Sequence, residues 1–191
     1  MHRPGFHTSQ IDYGEDELYF SYSSGFSYEV KNNSKLSDNI LNVRYTPTDI
    51  YFEDASIKKD IDVSYLVRKG VGKNLVHPEN SICVDGLNHS ETAAIFKRSK
   101  RFISYDLYTA YSHFAVLCGC ESVVVPDERV SLSEWYPKMT DRLGVAYGFD
   151  ADQIKFSLDT KKDLIDKLLN ENLLSIQSVR TALEEILNFF E

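Results

Sequence analysis

Residues 101–126, RFISYDLYTAYSHFAVLCGCESVVVP, carry the two hydrophobic periods that decide the fold. The run 102–105 is short, apolar and β-prone, and from Leu107 the apolar residues move to helical spacing at Ala110, Tyr111, Phe114, Ala115, Leu117 and Cys118. Gly119 is placed for a left-handed helix cap. Residues 122–125, SVVV, lack polar alternation, as a parallel strand covered on both faces does, and Pro126 ends them. The stretch is therefore one βαβ unit. In open α/β sheets ligands bind at the carboxyl ends of the strands. Polar groups gather at that point here: Ser104, Tyr105, Asp106, Thr109 and Ser112.

Upstream, residues 63–67 (VSYLV) read as a buried strand running into Arg68-Lys69-Gly70-Val71-Gly72-Lys73, and 81–84 as a second strand closed by Asp85-Gly86. Asn88 and Glu91 have capping-box spacing for a helix over 92–100. Downstream, 131–137 (SLSEWYP) suits one helical turn carrying Trp135, and 144–149 a last short strand. Two helices close the chain: 162–169, and a second whose Ile176, Val179, Leu183, Ile186, Leu187 and Phe190 share a face. Alternation of strand and helix from residue 61 to 191 predicts an α/β domain, a Rossmann-like three-layer α/β/α sandwich with a mostly parallel sheet. Residues 1–60 break the pattern and are expected to be an irregular β-rich segment, the edge of a missing domain or a partner interface. Strands are expected within 17–28, 40–45 and 49–52, and a polar turn over 31–39.

The chain has 191 residues, a formal net charge of −8 and a pI near 5.1, which argue against a nucleic-acid or anionic-membrane surface. No apolar run approaches a membrane span, and the first residues, MHRPGFHTSQ, lack a signal-peptide core. A cytoplasmic protein is expected, reaching the inner face of a membrane only through a partner. Cys83, Cys118 and Cys120 lack redox or zinc spacing and read as buried fillers. His2, His7, His77, His89 and His113 form no metal set, so no metal is expected; His77 and His113 are the two placed to line the cleft. No Ser/His/Asp order or nucleophile elbow occurs.

Two motifs carry candidate chemistry. In the basic turn, Arg68, Lys69 and Lys73 bring three cations to a strand's carboxyl end, and Gly70 and Gly72 let the backbone approach an oxyanion. The turn is neither a Walker A loop nor a dinucleotide fingerprint: Val67, Asn74 and Leu75 stand where those need Gly, Ser/Thr and Gly. Asp85, ending the next strand, suits a ribose hydroxyl. The second motif is 105–112, where a helix N-terminus with Thr109 and Ser112 suits phosphate oxygens. Asp106 either caps that helix or binds a ribose or sugar hydroxyl.

Arg68-Lys69-Gly70, SICVDGL at 81–87, the 102–126 block, SLSEWYP at 131–137 and GVAYGF at 144–149 together resemble the C-terminal, donor-binding half of bacterial GT-B glycosyltransferases of surface-polysaccharide and lipopolysaccharide assembly. The resemblance covers roughly residues 62–160, and the opening His-Arg-Pro-Gly-Phe-His-Thr looks like the segment that leads into that half. It implies a domain that holds a nucleotide-diphosphate sugar, with Arg68 and Lys69 as diphosphate-binding cations and Tyr105 to Ser112 as the donor-contacting turn. It implies no metal and a glycan or lipid-linked acceptor. The family's acceptor half is not in this sequence, so a separate N-terminal half, a homo-oligomer or a binding remnant without transferase activity is expected, and no catalytic base is named.

Overall fold

The computed structural model describes residues 15–21, 30 and 33–191, in two compact units. The larger, residues 46–169, is built on a five-stranded sheet of order β4-β3-β5-β6-β7, with every neighbouring pair parallel. The strands are β3 (Ile61–Leu66), β4 (Ile82–Cys83), β5 (Ser99–Ser104), β6 (Glu121–Val124) and β7 (Val145–Tyr147). Helix α1 (His89–Arg98) joins β4 to β5, and α2 (Tyr111–Leu117) joins β5 to β6. The fold is the expected Rossmann-like α/β class.

The chain steps from β3 outward to β4, then returns past β3 to lay β5 on its other side, so direction reverses between β3 and β5. Ligand crevices of open α/β sheets lie at such a reversal.

Pleating sends alternate residues to opposite faces. Leu66, Phe102, Val124, Val145 and Tyr147 face a core shared with Phe96 of α1, Ala115 and Val116 of α2, and Trp135 of α3 (Leu132–Trp135). Leu164 and Leu168, at the start of the long α5 (Lys161–Phe190), close that core. Val63, Tyr65, Val67, Ile103, Tyr105 and Val125 form the other face. Helix α4 (Ala151–Asp159) packs against β7 and β6.

Several local expectations hold. The capping box at Asn88 and Glu91 forms in full, with the two reciprocal bonds at 2.9 and 3.0 Å. Gly119 ends α2 at a φ of +88°, and a Cβ there would stand 2.5 Å from Glu53.

Others are corrected. Helix α2 begins at Tyr111 rather than Leu107, because the Leu107 carbonyl accepts the Trp135 indole N–H at 2.7 Å and Asp106 accepts the Tyr108 amide. The expected strand over 49–52 is a turn in which the amides of Ile50 and Tyr51 both donate to the Pro47 carbonyl, which drives Tyr51 into the core. Residues 41–45 are irregular, not a strand. Cys83 is exposed because β4 is an edge strand, whereas burial pushes the thiols of Cys118 and Cys120 up to about 11 and about 12.

The smaller unit joins residues 1–45 to 170–191. Its described strands, β1 (Leu18–Ser21) and β2 (Lys35–Ile40), pair in parallel, so β2 occupies part of the expected polar turn. The expectations for 22–28 lie outside the described residues, as does the resemblance of the first seven. The two closing helices expected over 162–169 and 176–190 are one helix, α5, since the intervening NENLLS contains no Gly or Pro to stop it.

Candidate functional site

A cleft of about 540 Å³ opens at the carboxyl ends of the strands. One wall is the basic turn and its continuation, Lys69 to Asn74 with Val76; the other is Val125 to Arg129, which follows β6.

The first wall is shaped by a close approach of backbone. Gly70 packs onto β5's end so tightly that a Cβ would lie 2.3 Å from the Tyr105 carbonyl oxygen. Only glycine fits there. Residues Arg68–Gly70 form a single 3₁₀ turn, closed by the Gly70 amide donating to Val67 at 2.7 Å. Arg68 opens it at a φ of +40°, a left-handed value that costs a non-glycine residue about 1 kcal/mol or more. The amides of Val71 and Gly72 have no backbone acceptor among the described residues.

The turn is anchored at three points. Asp85 Oδ2 accepts the Val67 amide at 2.7 Å, fixing the start of the turn to the end of β4. Lys73 reaches across to donate to the Val125 carbonyl at 2.7 Å and ties the two walls together. Tyr105, fully buried, accepts the amides of Val76 and His77 at 2.7 and 3.2 Å, which leaves its phenol proton for His77 Nδ1 at 2.8 Å. The His77 ring stacks on Tyr65 at 3.6 Å.

The electrostatics are mixed but net cationic. Burial pushes the Lys73 ammonium below its ordinary range, while the carboxylates of Asp127 and Asp106 pull it back up. Arg129 grips Asp127 at 3.0 Å, and that hydrogen bond holds the Asp127 carboxyl at about 2. Asp127 is therefore a poor proton acceptor at neutral pH. Lys69 is exposed and has no hydrogen-bond or ion-pair partner among the described residues.

The ten residues singled out in the sequence are thus dispersed over three environments. Lys69, Gly70 and Lys73 line the cleft. Asp85 and Tyr105 lie beneath it and hold its first wall. Asp106, 4 % exposed, sits close enough to Lys73 to act on its charge, with its carbonyl accepting the Ser104 hydroxyl at 2.7 Å.

Arg68 departs from Lys69. Its guanidinium lies 4.6 Å above the ring of Tyr111, which belongs to the helical core. Thr109 Oγ1 accepts the Tyr111 amide at 3.3 Å, and buried Ser112 keeps an Oγ without a partner among the described residues. Asp106 does not cap α2; the cap is Ala110, with no side-chain bond. His113 does not line the cleft, and burial beside Lys167 pushes its pKa down to about 4.

Sequence reasoning missed the second wall. Its signal was a charged triplet, Asp127-Glu128-Arg129, separated from the end of β6 by two residues.

Among the described residues no group of His, Cys, Asp or Glu is placed to hold a metal ion, and no helix is long and apolar enough to cross a membrane. No protein-family model matches this chain, and neither does a curated protein or a solved structure.

Proposed function

We propose that the cleft between residues 69–76 and 125–129 binds the diphosphate of a nucleotide sugar, and that the chain serves as the donor half of a GT-B type glycosyltransferase. The observation that carries this reading is Lys69, unpaired, set beside the free amides of Val71 and Gly72 at the carboxyl end of the sheet, next to the reversal between β3 and β5. Oriented amides and a cation suit phosphate oxygens, and the same groups would stabilise charge on a departing diphosphate. Lys73 contributes its charge while holding the walls at a fixed spacing. Asp106 and Asp85, hydrogen-bonded beneath, position the loops rather than meet the ligand. The resemblance of residues 62–160 to glycosyltransferase donor domains supplies the substrate class, and the acceptor is a glycan or lipid-linked glycan.

A second reading, a nucleotide-sugar-binding module without transferase activity, is favoured by one observation. The cleft carboxylate Asp127 is held by Arg129 far below neutral pH, so Asp127 is not suited to act as the base that activates an acceptor.

The test is calorimetry of the full chain against UDP-, GDP-, dTDP- and CMP-sugars. One of them is expected to bind and to raise the melting temperature, because a ligand held only by the folded state stabilises it. Lys69→Glu should abolish both effects while leaving the unliganded melting temperature in place. Silence across the whole panel at millimolar concentration defeats the reading. Hydrolysis or transfer of the bound sugar, with or without acceptor, separates the transferase from the binding module.

A further inference from the structure

Helix α5 carries two stripes, and the described residues of its unit cover the polar one. Within the smaller unit, residues 35–44 lie along Glu171, Ser175, Ser178, Ala182 and Glu185. Ser178 accepts the Asn42 amide at 3.1 Å and donates to the Ile40 carbonyl at 2.8 Å, while Ser175 makes the equivalent pair with Arg44, both at 2.9 Å. Glu185 accepts from Ser37 at 2.5 Å and from Asn39 at 2.9 Å. These contacts use the polar stripe of the helix.

The apolar stripe is largely exposed. Leu173, Ile176, Leu183, Leu187 and Phe190 are 61, 53, 54, 62 and 65 % exposed. With Arg180 they recur at alternating intervals of three and four residues, which is the heptad of a coiled-coil seam rather than the 3.6-residue period of a helix lying on a sheet. Three successive a/d pairs span about 27 Å of helix. A stripe of this period is complementary to another helix with the same period, and this chain supplies one in every copy.

Orientation follows from the single charged position. In a parallel pair, Arg180 would face Arg180 of the second copy across the seam, two like charges at close range. Antiparallel, all six positions find apolar or neutral company: Leu173 against Phe190, Ile176 against Leu187, and Arg180 against Leu183, each pair occurring twice about a two-fold axis. Arg180 then lies beside Glu184 of the second copy, an opposite charge at the flanking position, and Val179 meets Ile186 on the other flank.

We propose that α5 forms an antiparallel two-stranded coiled coil with α5 of a second copy, making the protein a homodimer through residues 173–190. The occupant of the stripe is thus a second copy, and the dimer interface shares no residue with the cleft.

Light scattering and sedimentation of the full chain test this directly. A dimer is expected. Leu183→Glu combined with Leu187→Glu should convert it to a monomer with an unchanged far-ultraviolet circular dichroism spectrum, since both side chains are exposed in the single chain. A monomer at every concentration, with the stripe covered by the chain's own N-terminal residues, overturns the proposal, as does a dimer that survives the two substitutions. For orientation, Leu173→Cys and Phe190→Cys are introduced in a Cys83→Ser background. The double variant should cross-link on oxidation and neither single variant should; ready cross-linking of Leu173→Cys alone overturns the antiparallel arrangement.

Discussion

Each of the two units of this chain has its own kind of internal contact. In residues 46–169 the sheet buries Phe102, Val124 and Val145 against helices, and the polar groups of the turns are tied to backbone. In residues 1–45 with 170–191, the described contacts to α5 are serine and glutamate hydrogen bonds, and six large apolar side chains of the same helix are exposed. Apolar burial is worth about 25 cal/mol per Å², whereas a neutral hydrogen bond nets only about 1 kcal/mol. Among the described residues, the first unit therefore rests mainly on apolar burial and the second on hydrogen bonds.

Phe102→Ala opens a cavity where the ring, fully buried, packs on Phe96 at 4.8 Å, and should cost about 3–5 kcal/mol in denaturant unfolding. A loss below 1 kcal/mol would mean that the sheet is not the main source of stability.

The next effect is electrostatic. His113 is held neutral by burial, at about 4 against an ordinary 6.5. The unfolded chain binds its proton first as pH falls, so the associated stability is complete above pH 6.5 and is lost as pH drops towards 4. The full loss is about 3 kcal/mol. His113→Gln should flatten that part of the stability curve; an unchanged slope would assign the acid sensitivity elsewhere.

Gly70→Ala forces a Cβ against the Tyr105 carbonyl and should cost about 1–3 kcal/mol, while shifting the basic turn off β5. Melting of Gly70→Ala at the parental temperature would show that the turn is not seated as described. Smallest is Ser178→Ala in the other unit, which removes the bonds to Asn42 and Ile40 and should cost about 0.5–1.5 kcal/mol. A loss as large as that of Phe102→Ala would erase the distinction between the units.

The sheet was readable from sequence because its central strands are largely buried. SVVV and VSYLV carry no polar alternation, and each stops at a turn residue or a charged run. The turn glycine was readable for the same local reason. What escaped was non-local. The late start of α2 depends on Trp135 taking the Leu107 carbonyl from 28 residues away, and the second wall of the cleft is brought to Lys69 only by the strand order. Arg68 and Lys69 are neighbours in sequence, yet consecutive residues of a tight turn point apart, and Tyr111 captures the first of them. Tyr105 and Asp106 were read as ligand contacts because they sit at a strand end, but hydroxyl and carboxylate there are turned inward to hold loops.

The groove between residues 69–76 and 125–129 is proposed to receive a nucleotide sugar, and amide-resolved NMR of the full chain measures this most directly. On titration with the sugar nucleotide selected by calorimetry, the largest shifts are expected at Lys69, Val71, Gly72 and Arg129, with a clear decline by Tyr111. Shifts centred on Arg68, Tyr111 and Ser112, or none at any residue at saturating concentration, would contradict the account.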